Sequence, residues 1–212
     1  MTENQQKKGV ILVSFEYPPR RLSNLSDIIQ KLARTLITQG YNVWIVTFDD
    51  WRSGIEKNNK MTIVRIPYNV PNNISFFSNI LNLKSAYQSA IASIINTHDI
   101  NLIHFFEWQT LPLLIPWGEK LVQKIIVSIS NIQLTRDSTF SPYNNGIMKI
   151  EQMSLKTADL IFANSDNLAT KLIANYKISE EKMIVQSLTD RKIVSKISDY
   201  YTKILDDKIT NE

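Results

Sequence analysis

Apolar residues in this chain follow two patterns that alternate along its length: short unbroken runs, and spacings of three and four. Residues 10–15 (VILVSF) form a run short enough for a strand buried on both faces. Pro18 and Pro19 then force the chain out of regular structure. Leu22, Leu25, Ile28, Leu32, Leu36 and Ile37 make one helical stripe, which Gly40 terminates, and residues 43–48 form a second run. A crossover of this kind places its two strands parallel and adjacent.

The alternation continues. A polar connection, 51–60, leads to a third strand at 61–67 and an irregular stretch at 68–74. A long helix at 76–96 precedes a fourth strand at 99–106. A helix at 109–122, kinked at Pro116, leads to a fifth strand at 124–129 and a polar loop at 130–145. A helix at 146–157, a strand at 159–163, a helix at 167–175, a strand at 181–185 and an amphipathic helix at 192–209 complete the chain. The pattern predicts an α/β fold: a doubly wound, mostly parallel sheet flanked by helices on both faces. It divides into a disordered tail (1–8), one domain (9–191) and a C-terminal amphipathic helix and tail (192–212).

Composition narrows the function classes. The 212 residues are 43% apolar and 21% charged, enough for one large α/β core. The net charge of +4 is spread along the chain, unlike the sharp basic patch of a nucleic-acid binder, so no nucleic-acid partner is expected. With no cysteine, disulfides, thiolate catalysis and Cys-ligated zinc are excluded. No run approaches the roughly 18–20 apolar residues of a membrane span, and residues 1–9 carry no signal-type stretch, so a cytoplasmic location is expected. The absence of glycine between Val10 and Gln39 excludes a G-x-G-x-x-G dinucleotide turn, and no P-loop lysine motif occurs.

In open parallel sheets, ligands sit beyond the carboxyl ends of the strands, where the strand order reverses. If the first and fourth strands flank that reversal, a loop holding Glu16, Arg20 and Arg21 faces His104, Glu107 and Trp108. Ser130 and Asn131 follow the next strand, and Ser165 the one after. Each candidate has a plainer alternative. Arg20 and Arg21 either bind phosphate beside a helix start or line a solvated loop. His104 is either a general base or a hydrogen-bonded, half-buried strand residue. Glu107 either meets a sugar hydroxyl or is merely solvated, and Ser130 and Ser165 either face a ligand or cap helices. Trp51 and the apolar stripe at 76–83 are either a membrane-touching surface or core.

Residues 13–47 (VSFEYPPRRLSNLSDIIQKLARTLITQGYNVWIVT) resemble the opening of family-4-like, glycogen-synthase-like glycosyltransferases of the GT-B fold. NLIHFFEWQTLPL (101–113) is similar to their D-V-V-H-A-H-D-W strand end, and IVSISN (126–131) to V-V-T-I-H-N. Residues 150–188 resemble their E-x-x-x-x-x-x-A-D-x-V-I-A-V-S segment together with its G-x-x-x-x-K-I-x-V-I-x-N-G continuation. The resemblance runs from Val10 to about Leu188 and implies the N-terminal, acceptor-side Rossmann-like domain of such an enzyme. By the same resemblance, a nucleotide-sugar is the co-substrate rather than a bound cofactor and a hexose is transferred with retention; the sequence shows no metal requirement. The implied partners are a separate donor-binding C-terminal domain or homologous subunit and a sugar or lipid-linked acceptor; a third reading, drawn from Trp51 and residues 76–83, is peripheral contact to a membrane. His104 and Glu107 take the catalytic positions, and Glu16, Arg20, Arg21, Ser130, Asn131 and Ser165 the substrate-binding ones. The sequence departs from the pattern in its loop, where no glycine stands at 21–24, and at three polar positions: Phe106 falls on the family's second histidine, Glu107 on its aspartate, and Ser130 on a further histidine. The alternative function is a non-catalytic scaffold or regulatory subunit.

Overall fold

The computed structural model describes residues 8–67, 75–137, 139 and 141–206. The expected tail (apart from Lys8), the irregular stretch 68–74 and residues 207–209 of the expected last helix lie outside them.

The first run becomes strand β1 (Gly9–Val13), buried throughout. Helix α1 (Leu25–Thr38) turns Leu25, Ile29, Leu32, Ala33 and Leu36 inward. It stops at Gly40, whose φ of 98° is open to a residue without Cβ. The chain then enters β2 (Asn42–Phe48), parallel to β1 with Val13 opposite Val46. The other strands are β3 (Gly54–Asn58), β4 (Met61–Ile66), β5 (Ile100–Phe106), β6 (Lys124–Ile129), β7 (Leu160–Ala163) and β8 (Met183–Val185). They pair in the order β3-β4-β2-β1-β5-β6-β7-β8, parallel except for the antiparallel β3–β4 pair. The order reverses between β1 and β5, in keeping with the sequence-based expectation.

Both faces are covered. Val10 and Leu12 of β1 join a core with α1 and α6 (Ile193–Asp206), which contributes Ile193, Ile197, Tyr201 and Leu205. Ile11 and Val13 point the other way, into a core with α2 (Phe76–Thr97), α4 (Pro142–Lys156) and α5 (Asp166–Tyr176). The apolar stripe of α2 is largely core: Phe77, Ile80, Leu83, Tyr87 and Ile91 are buried, while Phe76 stays exposed. No described helix is long and apolar enough to cross a membrane.

Three local expectations differ from the structure. Residues 51–60 are not all loop, because Asn59 takes a left-handed φ of 50° and folds β3 back on β4 as a hairpin. The expected helix at 109–122 is replaced by 3₁₀ turns at Trp108–Leu114, which contains Pro112, and Gly118–Lys120, with Pro116 between them. The loop 130–145 holds a single helical turn, α3 (Gln133–Arg136), and α4 starts at Pro142 instead of residue 146. Ser141 caps α4 by accepting from Asn144 N, and Pro142 in the first turn has no N–H of its own to satisfy.

Arg65 of β4 fastens the proline loop to the sheet. Its guanidinium meets Glu56 at 2.6 Å, Asp49 at 3.2 Å and the Pro18 carbonyl at 2.7 Å. Arg65 and Asp49 are both 3% exposed. Arg65→Ala therefore strands a buried carboxylate, and the expected loss is about 3–5 kcal/mol. A lowered urea midpoint at unchanged m-value is the readout, with Arg65→Lys recovering only part of the loss.

Candidate functional site

Glu16, just past β1, is 7% exposed, and its carboxylate shapes the adjoining loop. It accepts from Leu22 N at 2.9 Å, Ser23 N at 2.8 Å and the Ser23 hydroxyl at 2.6 Å. The same hydroxyl accepts from Leu25 N at 3.1 Å. Three of the backbone donors that lead into α1, the N–H groups of Leu22, Ser23 and Leu25, are thus satisfied from within the chain.

The two arginines turn away from this centre. Arg20 bonds Asp50 at 2.7 Å and the Phe15 carbonyl at 2.5 Å, with its guanidinium 4.5 Å above the Phe48 ring. Arg21 pairs with Asp27 at 3.0 Å, and both side chains are about half exposed.

A cleft of about 710 Å³ lies at the carboxyl ends of β1, β5 and β6, and the segment joining β8 to α6 forms one wall. Glu16, Glu107, Ser130 and Asn131 line it, so four of the expected residues do come together. Glu107 succeeds β5 with φ 66° and ψ 163°. Its N–H donates to Ser128 O at 2.8 Å, and its carboxylate accepts from Ser130 N at 3.3 Å. Burial raises the Glu107 carboxyl from 4.5 to about 7; hydrogen bonds from Ser130 and the Arg136 charge oppose the rise, and nearby Glu16 adds to it.

His104, on β5, is fully buried and belongs to the face under α6. One ring nitrogen bonds the Tyr201 hydroxyl, the other lies 2.8 Å from the Ser128 hydroxyl, and the ring stacks on Phe106 at 3.9 Å. Burial holds its pKa well below 6.5, so it is a neutral ring tying α6 to the sheet. Ser165 caps α5 by accepting from Leu168 N at 3.2 Å. The expected placement of His104, Arg20, Arg21 and Ser165 in a ligand cleft is therefore corrected: each has another structural partner, and none lines the cleft.

Three further residues of the cleft were not identified as candidates. Gln109 lines it, and its Oε1 is buried without a hydrogen-bond partner. Lys31 comes from the polar side of α1, and Arg191 from the wall segment. Gln109 was within reach of the strand-end rule that found Glu107, whereas Lys31 carries no sequence signal. Among the described residues, no group of three His, Cys, Asp or Glu is placed to hold a metal ion.

Comparison with curated protein sequences finds no match. The family model for Glycosyltransferase Family 4 matches residues 27–187. Among solved structures, sucrose-phosphate synthase from Thermosynechococcus elongatus superposes with a TM-score of 0.67 at 13% identity, over 84% of this chain and 47% of that one. A second structure of that enzyme gives 0.66 at 12% identity, over 93% of this chain and 99% of that one. The catalytic domain of starch synthase IV from Arabidopsis thaliana, bound to ADP and acarbose, gives 0.56 at 12% identity, over 85% and 51%. This chain thus spans about half the length of the first and third. At these identities the likeness is one of fold.

Glu107 and His104 predict opposite pH limbs of stability. The folded chain holds the Glu107 proton to a higher pH than the unfolded chain does. Folding therefore weakens as pH rises from about 4.5 to about 7. Glu107→Gln removes this limb and is expected to gain about 3 kcal/mol relative to the parent at pH 8. His104 resists protonation when folded, so stability falls as pH drops below 6.5, and His104→Gln flattens that limb. Urea midpoints across pH 4–8 check both.

Proposed function

The chain belongs to Glycosyltransferase Family 4, and on that premise we propose that it is the acceptor-side half of a sugar-transfer site completed by a separate donor-binding domain. Its fold is that of a Rossmann-like, N-terminal GT-B domain. The observation that carries the reading is Glu107, at the strand-order reversal, with a carboxyl raised to about 7 at the wall of an open cleft. A carboxylate poised near neutral pH suits the acceptance of a proton from a hydroxyl.

In the proposed reaction an acceptor hydroxyl binds at Glu107. Its oxygen forms the new bond to the anomeric carbon of the nucleotide-sugar on the face from which the diphosphate departs, which retains the configuration, while its proton passes to the Glu107 carboxylate. The bond from the anomeric carbon to the diphosphate breaks, and its electron pair leaves on the phosphate oxygen. The donor-binding partner supplies the positive field for that leaving group. The transferred unit is a hexose, and the acceptor is a sugar or a lipid-linked sugar. In the lipid-linked case Trp51, 91% exposed, is the anchor for a peripheral membrane contact.

A second reading, a non-catalytic scaffold, is favoured by one observation. The Leu22 and Ser23 N–H groups, in the loop that corresponds to the family's phosphate-approaching glycines, are already taken by Glu16.

Copurification of the tagged chain with a donor-binding domain, followed by a nucleotide-hexose transfer assay, separates the two. Glu107→Gln is expected to lower kcat by about 100- to 10,000-fold while leaving partner binding intact. Unchanged transfer sinks the role of Glu107, and a bound partner without any transfer moves the assignment to the scaffold.

A further inference from the structure

Resting on the acceptor-side reading, we propose that Glu151 is a positioning residue of the site: it keeps the Arg136 guanidinium on Trp108 and Asn131 and off Glu107, so that Glu107 stays free to take a proton from the acceptor.

The buried face of α4 runs through Asn144, Ile147, Glu151, Ser154 and Leu155, a helical stripe in which Glu151 stands where an apolar side chain is expected. It is 1% exposed and does not line the cleft. A carboxylate so deep is tolerated when its oxygens are matched. Here both accept from Gln133 N, at 3.1 and 2.9 Å. One also accepts from Arg136 Nη2 at 2.7 Å, and the other from the Tyr176 hydroxyl at 2.6 Å. Burial and the Glu151 charge push the Tyr176 hydroxyl well above its usual range, so it remains a donor.

What Glu151 holds does reach the cleft. Arg136 Nη1 donates to Asn131 Oδ1 at 3.2 Å, Nη2 donates also to Gln133 Oε1 at 2.9 Å, and the guanidinium lies 3.8 Å over the Trp108 ring. Trp108 and Asn131 both line the cleft. Trp108 follows Glu107 in the chain, and Asn131 follows Ser130, whose N–H donates to the Glu107 carboxylate.

Two carboxylates thus compete for one guanidinium. Burial lifts the Glu107 carboxyl; the Ser130 hydrogen bonds oppose the rise, Glu16 adds to it and the Arg136 charge opposes it. Arg136 is therefore within electrostatic reach of Glu107, yet its ion pair is with Glu151. Asp137, the acid next to Arg136 in the chain, already accepts from Thr139 N and Asn144 Nδ2. Of the other charges lining the cleft, Asp27 pairs with Arg21 and Asp190 with Lys196, and Lys31 and Arg191 complete the set. With the Glu151 charge removed, Glu107 is the acid to which Arg136 turns. A carboxylate paired with arginine holds its proton poorly and is a weak base.

Titration of Glu107 on the chain alone tests this, read by carboxyl carbon-13 NMR of the glutamate-labelled protein across pH 4–9, with Glu107→Gln assigning the resonance. Glu151→Gln is expected to lower the Glu107 midpoint from about 7 by roughly one to three units, as Arg136 pairs with it. Glu151→Gln/Arg136→Gln, which removes both charges, is expected to keep the midpoint at or above that of the parent. Tyr176→Phe takes one donor from Glu151 but leaves Arg136 paired, and is expected not to move it. An unmoved midpoint in folded Glu151→Gln overturns the proposal. An equal fall in Tyr176→Phe does the same, since that is what a merely structural role for Glu151 would give. Should Glu151→Gln fail to fold by circular dichroism, the double variant decides, and a midpoint below the parent's overturns the proposal. The titration needs neither sugar nor partner, so its result stands whatever the transfer assay shows. Transfer that depends on Glu107, with no shift in Glu151→Gln, sinks this inference and leaves the acceptor-side assignment standing.

Discussion

Parallel pairing of β1 with β5 is the constraint on which the rest of the molecule depends. Both strands lie at the middle of the sheet, and their inner residues are buried from both sides. Neither can shift without exposing one of the two cores. Because the strand order reverses between them, the chain leaves each strand toward opposite halves of the sheet. The rim between the departing loops is left open, and Glu16 and Glu107 stand on either side of it, close enough for their charges to interact.

Three arginines in this protein act as braces. Arg65 ties the proline loop to β4, Arg20 packs over Phe48, and Arg136 backs Trp108. Each is matched by a carboxylate: Asp49 and Glu56, Asp50, and Glu151. Pairs of this kind contribute less to net stability than to fixing one arrangement, since desolvation offsets much of the attraction. What they fix is the rim of the cleft.

The fold was legible because burial on two faces leaves a plain trace: unbroken apolar runs for strands, and three-and-four spacing for helices. β3 left no such trace, since all five of its residues are exposed and its pairing depends on the turn at Asn59. The site was legible in part for a related reason. The strand-end rule identifies a loop but not the direction of its side chains. It found Glu107, Ser130 and Asn131, which do face the cleft. It placed His104 there too, although that ring answers to Tyr201, 97 residues later in the chain, on a helix whose docking position the local sequence does not encode. Arg20 illustrates the same limit, because its partner Asp50 comes from the end of the neighbouring strand.

The backbone of Glu107 carries a consequence of its own. Its φ of 66° with ψ of 163° falls in a region natural to glycine, and a residue with a Cβ held there stores strain on the order of 1–3 kcal/mol. The hydrogen bonds to Ser128, on the adjoining strand, and to Ser130, just past its end, hold it in place. A glycine at this position would relax the peptide and erase the carboxylate in the same step. Durability and reactivity are thus opposed at a single residue, and a lineage selected only for a sturdier chain would shed the cleft's titrating group first.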